Sequence, residues 1–342
     1  MPDVAAQGLR LQLGMETTYN TPVAATKRLR AMAIDLAPQL ETDQMYPSGS
    51  WAPSSSSLIQ EWVEGDLSGV VTYTEFIYAL AMALGDPTSA VAAPTVGADT
   101  SVLARDWIWA PAAQNQIVPR SATLERGSSV YGVRVGGVVL PEFSFSWSRT
   151  ERVELKGKIL ATQLLKPFTP TTIASNATVP LLRVLPGQID IFVDSTYAAV
   201  AGASATKALR TFKGSFSLSD LFTGVWAVNS ALPSFDGVVA NQASSEAMLM
   251  FMADANGLAF LDNTRAGQTV YVKMKATGPA IDTVGATTFK NEFELIMPVE
   301  VKSVDAFENN DGVYAIPWTF QPVDDGTNAP LSFRLRNALT AL

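Results

Sequence analysis

The sequence predicts a mainly β protein built of two β units in tandem, each with one α-helix flanking its sheet. Three observations carry that expectation. Apolar and polar residues alternate over long runs, only two stretches have a helical period, and one order of elements occurs twice. Alternation at period two sends every second side chain to one face, which is the pattern of a half-buried strand.

Residues 29–37 (LRAMAIDLA) read as a first short strand ended by Pro38. The polar stretch 39–57, with YPSGSWAPSSSS, has no period and is expected to be a long loop that a partner orders. Leu58 to Thr72 alternates, with a bulge or break expected at Gly65. The period then changes. Tyr73, Phe76, Ile77, Leu80, Ala81 and Leu84 share one face of a helix that Gly85 and Pro87 stop. A second long loop, 85–105, leads to a strand at Trp107 to Ala110. Two clear strands follow, Val139 to Ser148 and Val153 to Leu160, joined through Arg149 and Thr150.

Residues 168–178 (FTPTTIASNAT) lack periodicity and divide the chain into units 1–170 and 171–342. The order then restarts. Gln188 to Asp194 matches the first strand, and the small-residue run AAVAGASA matches the first loop. Leu209 to Asp220, with Gly214, matches the strand that carries Gly65. Ser244 to Ala255 is expected to be the second helix, with Met248, Phe251, Met252 and Ala255 on its face and Asn256-Gly257 as its stop. Short strands are expected at Leu258 to Leu261 and Thr269 to Lys275. A closing hairpin, 292–320, turns at Asn310-Asp311-Gly312. Internal duplication explains this order; one large irregular β domain is the alternative.

Composition narrows function. The 342 residues suit about two domains. They include no Cys and no His, which excludes thiol chemistry, imidazole bases and the common zinc sites. Lys plus Arg number 24 and Asp plus Glu 32, a net charge of −8 that offers little to a phosphate backbone. Hydrophobic residues make up 47% and charged residues 16%, against roughly 25% charged in an average domain. So few charges imply an outer surface covered by neighbours. No run is long and apolar enough for a membrane span, and MPDVAAQGLRLQLGMETTYNTP lacks the features of a signal peptide, so a chain that is not exported is expected.

Phosphate-loop, dinucleotide-binding and nucleophile-elbow motifs are absent. The acidic turns at 305–311 and 324–326 lack calcium-loop spacing, and the sequon at Asn176 matters only in a secreted chain. No catalytic, cofactor-binding or metal-ligating residue is assigned, and no enzyme is expected.

The run Gly14-Met15-Glu16-Thr17-Thr18-Tyr19-Asn20-Thr21-Pro22-Val23 resembles the G-x-E-x-x-Y-G-T-P-V start of the major tail (tail tube) proteins of long-tailed, non-contractile bacteriophages, with Asn20 where Gly is usual. The passage from Gly65–Gly69 into Tyr73-Thr74-Glu75-Phe76 and the hairpin Phe293–Phe320 resemble later parts of the same family. The resemblance implies β-sandwich or barrel-like tube domains. Six close a ring whose inner strands form a barrel, and rings stack into the conduit for genome DNA.

Two such domains per chain imply a trimeric pseudo-hexamer. A hexamer of one tube domain plus a decoration domain is the alternative. Implied partners are further copies, a tape-measure protein inside the tube, tail-tip and tail-terminator proteins, and DNA in transient passage, but no membrane. The implied location is the virion, after assembly in the host cytoplasm. An acidic lumen would repel phosphates, and Glu142 and Glu294 are candidates to line it. A capsid decoration protein, a pilus-like module, or a hydrolase with two converging acids are the competing readings.

Overall fold

The computed structural model describes residues 10–128, 132–171, 177–202, 211–228, 233–253, 266–310 and 312–342. Its first half contains β1 (Arg10–Met15), β2 (Lys27–Leu29), β3 (Met32–Ile34), β4 (Ala37–Met45) and β5 (Ser55–Val70). Helix α1 (Phe76–Leu84) comes next, followed by β6 (Thr95–Val96), β7 (Asp99–Thr100), β8 (Arg105–Trp109), β9 (Ala122–Gly127), β10 (Gly132–Ser148), β11 (Glu154–Ala161) and β12 (Leu164–Phe168). The second half begins with β13 (Ala177–Thr178), β14 (Ile189–Asp194) and the five-residue α2 (Tyr197–Ala201). It continues with β15 (Thr211–Ser219), β16 (Phe222–Val225), β17 (Gly237–Ala240), β18 (Ser244–Met252) and β19 (Val270–Val284). The last strands are β20 (Thr287–Val304), β21 (Glu308–Asn310), β22 (Val313–Pro322) and β23 (Ser332–Asn337).

One antiparallel sheet crosses the whole molecule in the order β4, β5, β11, β10, β15, β18, β22, β20. In chain order its first four strands run first, second, fourth, third, and its last four repeat that order. The registers repeat too. Glu142 faces Lys158 in the first half and Ser303 faces Thr319 in the second, each partner 161 positions on. Leu67 faces Ile34, and Leu249 faces Gly214, 182 and 180 positions on.

The second layer behaves alike. β1–β9–β10–β12 has its counterpart in β14–β19–β20–β23. Strands β10 and β20 are long because each serves both layers. β10 changes layer at Gly136-Gly137, where a Cβ on Gly136 would sit 2.8 Å from the Pro22 ring and Gly137 takes φ +63°. Among the described residues, the pairings do not return on themselves to close a barrel within the chain.

The core lies between the layers around α1. The spacing predicts one buried helix face, but all nine residues of α1 are buried, because the helix lies inside the core against β10 and β8, with residues 118–120 along its C-terminal end. Phe76 meets the rings of Phe143, Phe145 and Phe293 edge-on at 6.0, 6.1 and 5.5 Å, so both halves share one aromatic cluster. Gly85, at φ +87°, ends the helix by donating its N–H to the Ala81 carbonyl.

Several expectations need correction. Residues 244–252 form a strand, not a helix. β18 lies between β15 and β22, and Ala247, Leu249 and Phe251 bury one face at period two, a pattern that competes with the helical one in this Met-rich run. The second half therefore has only the short α2 among its described residues. The stretch 39–57 is not an irregular loop but the hairpin of β4 and β5, with only its turn unpaired.

Likewise, 29–37 is divided among β2, β3 and the start of β4, and 85–105 holds the small β6–β7 hairpin. Gly65 marks no break. It is a close approach, where a Cβ would fall 1.6 Å from the Asp35 carbonyl oxygen. The register pairs β14 with β1, not with 29–37, and β15 with β3 and β4, not with the strand that carries Gly65. The expected strand 258–261, the stop at 256–257, Asp311 and residues 172–176 of the boundary lie outside the described residues.

Candidate interaction surfaces

The N-terminal motif builds a polar knot inside the protein. β1 ends in a turn that carries the Glu16 carboxylate, 2% exposed, among three donors. These are Ser121 Oγ at 2.6 Å, Thr123 Oγ1 at 2.7 Å and the Gly137 N–H at 3.1 Å. Thr123 Oγ1 in turn accepts the Val23 N–H at 2.9 Å. Asn20 takes φ +52°, which explains both the family's Gly and the tolerance for Asn. Its side-chain oxygen accepts Thr162 Oγ1 at 2.8 Å. Gly14 leaves room for the Ala24 carbonyl, 2.6 Å from where a Cβ would stand.

Two more buried carboxylates do the same work. Glu75 accepts the Arg30 and Ala31 N–H groups, both at 2.8 Å, and burial pushes its carboxyl above the usual range against those bonds. Glu125 accepts the Ala25 and Thr171 N–H groups and the Thr171 hydroxyl. These acids hold backbone in place.

The long sheet turns one face to the core and the other outward. Ser68, Ser144, Ser146, Ser148, Ser215, Ser217 and Ser219 occupy outward positions on three strands. Between them stand six carboxylates, Glu64, Asp66, Glu142, Glu154, Glu246 and Glu300, and four lysines, Lys156, Lys158, Lys213 and Lys302. Lys158 pairs with Glu142 at 3.5 Å, Lys156 with Glu154 at 3.5 Å and Lys302 with Glu246 at 2.6 Å. The face is hydroxyl-rich and only slightly acidic.

Glu142 stands on it; Glu294 does not. Glu294 is buried in the other layer, where Arg334 bonds both Glu294 at 3.1 Å and Glu292 at 3.0 Å, and Arg336 holds Asp106 at 2.6 Å. Sequence alternation put the two glutamates together because it reads the face of a strand but not the sheet to which that face belongs.

Apolar residues are exposed in places that simple sheet packing leaves uncovered. The β4–β5 hairpin presents Leu40, Met45, Tyr46, Leu58 and Ile59, with Trp51 94% exposed at its tip. Phe307 and Tyr314 are exposed beside β21, at 59% and 72%. Exposed apolar residues gathered on strand edges mark surfaces that other chains cover. Arg10, Arg28, Arg30 and Arg126 line a shallow pocket at the corner near β2 and β3.

An open cleft of about 700 Å³ lies at the base of the hairpin, where Trp62 packs edge-on against Trp226. Glu64 and Asp66 line it, but the Trp62 indole N–H occupies Glu64 at 2.9 Å. The acidic turns are locks. Asp325 accepts the Thr327 and Asn328 N–H groups, the Asn328 amide and the Tyr271 hydroxyl, which hold its carboxyl well below the usual range. Among the described residues no group of acids could hold a metal ion.

The fold and these surfaces define a β-sheet structural protein with open strand edges, a projecting hairpin and a hydroxyl-lined face. The model of the phage tail tube protein family matches residues 6–206, more than half of the chain, and the chain belongs to that family. No curated protein matches it.

Proposed function

We propose that this chain polymerises as stacked rings into the tube of a phage tail and forms the conduit through which genome DNA is ejected. The observation that carries the reading is the sheet that crosses both halves with its strand order and register repeated. A sheet assembled from two equivalent four-strand sets fits two tube domains per chain, 1–170 and 171–342, and hence a ring of three copies with six pseudo-equivalent units. On this reading the serine and ion-pair face lines the lumen. Its slight excess of carboxylates would repel DNA phosphates, while paired lysines leave few free cations to hold them. Glu142 belongs to that lining and Glu294 does not.

The proposal includes no catalysis. It places the protein in the virion after assembly in the host cytoplasm. A tape-measure protein would lie inside the tube, and tail-tip and terminator proteins at its ends. The hairpin fits a role between rings: a two-stranded ribbon is marginal alone in water and gains order against a neighbour. A capsid decoration protein remains the competing reading and predicts closed oligomers without stacking. Negative-stain microscopy across protein and salt concentration separates the two, since only the tube reading gives straight hollow filaments.

A further inference from the structure

The tube reading requires copies to join side by side, and the chain carries an internal template for that joint. Its two units meet where β10 pairs with β15, with Ser144 opposite Ser217 and Ser148 opposite Lys213. The repeat offsets are 161 for β10 onto β20, 162 for β10 onto β21 after a one-residue register shift between Asp305 and Glu308, and 180 for β3–β4 onto β15, and they carry these partners to positions at the two ends of the same sheet. Ser144 maps to Asp305 and Ser217 to Ala37; Ser148 maps to Asn310 and Lys213 to Ala33.

Both mapped edges are open. β3 and β4 pair only with β5, and β19 leaves β20 at Val299, so the outer edge beyond that residue has no strand partner among the described residues. Ala33, Asp35, Ala37 and residues 302–309 are exposed.

We propose that residues 304–310 of one copy pair antiparallel with residues 33–38 of the next, Asp305 opposite Ala37 and, past the one-residue shift before β21, Asn310 opposite Ala33. This repeats between chains the joint that β10 and β15 make within one. The occupant is a second copy because the chain already accepts the equivalent strand at the equivalent edge. Side-chain chemistry agrees. Phe143 packs on Phe216 in the template, and their counterparts Val304 and Leu36 would meet across the joint. The joint uses different edges on the two copies, so it is heterologous and closes to a ring when its rotation allows. It rests on the tube reading and names that reading's lateral contact.

The chain has no cysteine, which makes cross-linking a clean test. Full-length protein carrying both Ala37→Cys and Asp305→Cys is assembled and oxidised, and the covalent species are sized on a non-reducing gel. Ala33→Cys with Asn310→Cys provides a second pair in register. Ala33→Cys with Asp305→Cys is out of register by four residues, about 13 Å along the strand and beyond disulfide reach. Ala33, Ala37 and Asp305 are exposed and Asn310 lies at the end of β21, so folding tolerates the changes.

The joint predicts cross-linking at least about tenfold greater for the two in-register pairs than for the control, with a ladder ending at three chains. Tubes that form without this difference overturn the joint and leave the tube reading standing. Absence of both tubes and cross-links overturns the two together.

Discussion

Phe76→Ala tests whether the two halves share one core. Phe76 is fully buried on α1, and its ring meets Phe143 and Phe145 from β10 and Phe293 from β20. Removing a buried ring costs about 3–5 kcal/mol through lost transfer energy and the cavity left behind. The upper part of that range is expected here, because rigid sheet surrounds the site and three edge-to-face contacts vanish together. In guanidinium, with a slope of about 4 kcal/mol per molar, a loss of about 4 kcal/mol moves the unfolding midpoint by about 1 M.

The assay is equilibrium unfolding of the unassembled protein, followed by tryptophan fluorescence and far-ultraviolet circular dichroism. The seven tryptophans are spread over both halves, five before residue 171 and two after it, and their summed signal is expected to move with the circular dichroism in one transition. A shift below about 0.25 M, or a biphasic curve with one phase unmoved, would refute the shared core.

Glu16→Ala strands three donors and is expected to cost about 3 kcal/mol, with Glu16→Gln milder; thermal melts of both variants check the order. For Glu75 the sign follows from a carboxyl whose pKa is raised on folding. Its contribution is present below the ordinary glutamate range and is lost as pH rises through the folded value, so Glu75→Gln flattens the decline in urea midpoint above that range. Asp325 has the opposite sign: its contribution is held at neutral pH and lost on acidification below the ordinary aspartate range, a loss that Asp325→Asn removes from an acid titration of stability. Gly65→Ala drives a Cβ into the Asp35 carbonyl and is expected to cost about 3 kcal/mol, measured by the same denaturation. Trp51→Ala leaves monomer stability within about 0.5 kcal/mol yet raises the concentration needed for assembly, read by sedimentation.

Much of the fold was legible wherever one face of a strand is wet. Val139 to Ser148 and 292–304 alternate cleanly because core lies on one side and solvent or an ion-pair network on the other. The helix at 76–84 was legible from its period and its glycine stop. The strand at 244–252 was not: β18 is central in its sheet, half-buried even on its outer face, and Met248, Phe251 and Met252 happen to fall at helical spacing as well. The stretch 39–57 reads as a loop because the strands that form it bury almost nothing in one chain, so they leave no hydrophobic alternation to find. The motif around Glu16 was legible only as a resemblance. Its partners Ser121, Thr123 and Gly137 lie over a hundred residues away, and their convergence is a matter of topology. The lumenal candidates divide for the same reason, since strand alternation assigns Glu142 and Glu294 to polar faces without saying which layer each belongs to.

The most direct test of the central claim is electron microscopy of the assembled protein viewed end-on. The account predicts straight tubes with a central channel and a regular axial repeat, with rings of three copies showing six similar units around the lumen. Monomers or closed oligomers at every concentration, with no extension from purified tail tips, would contradict it.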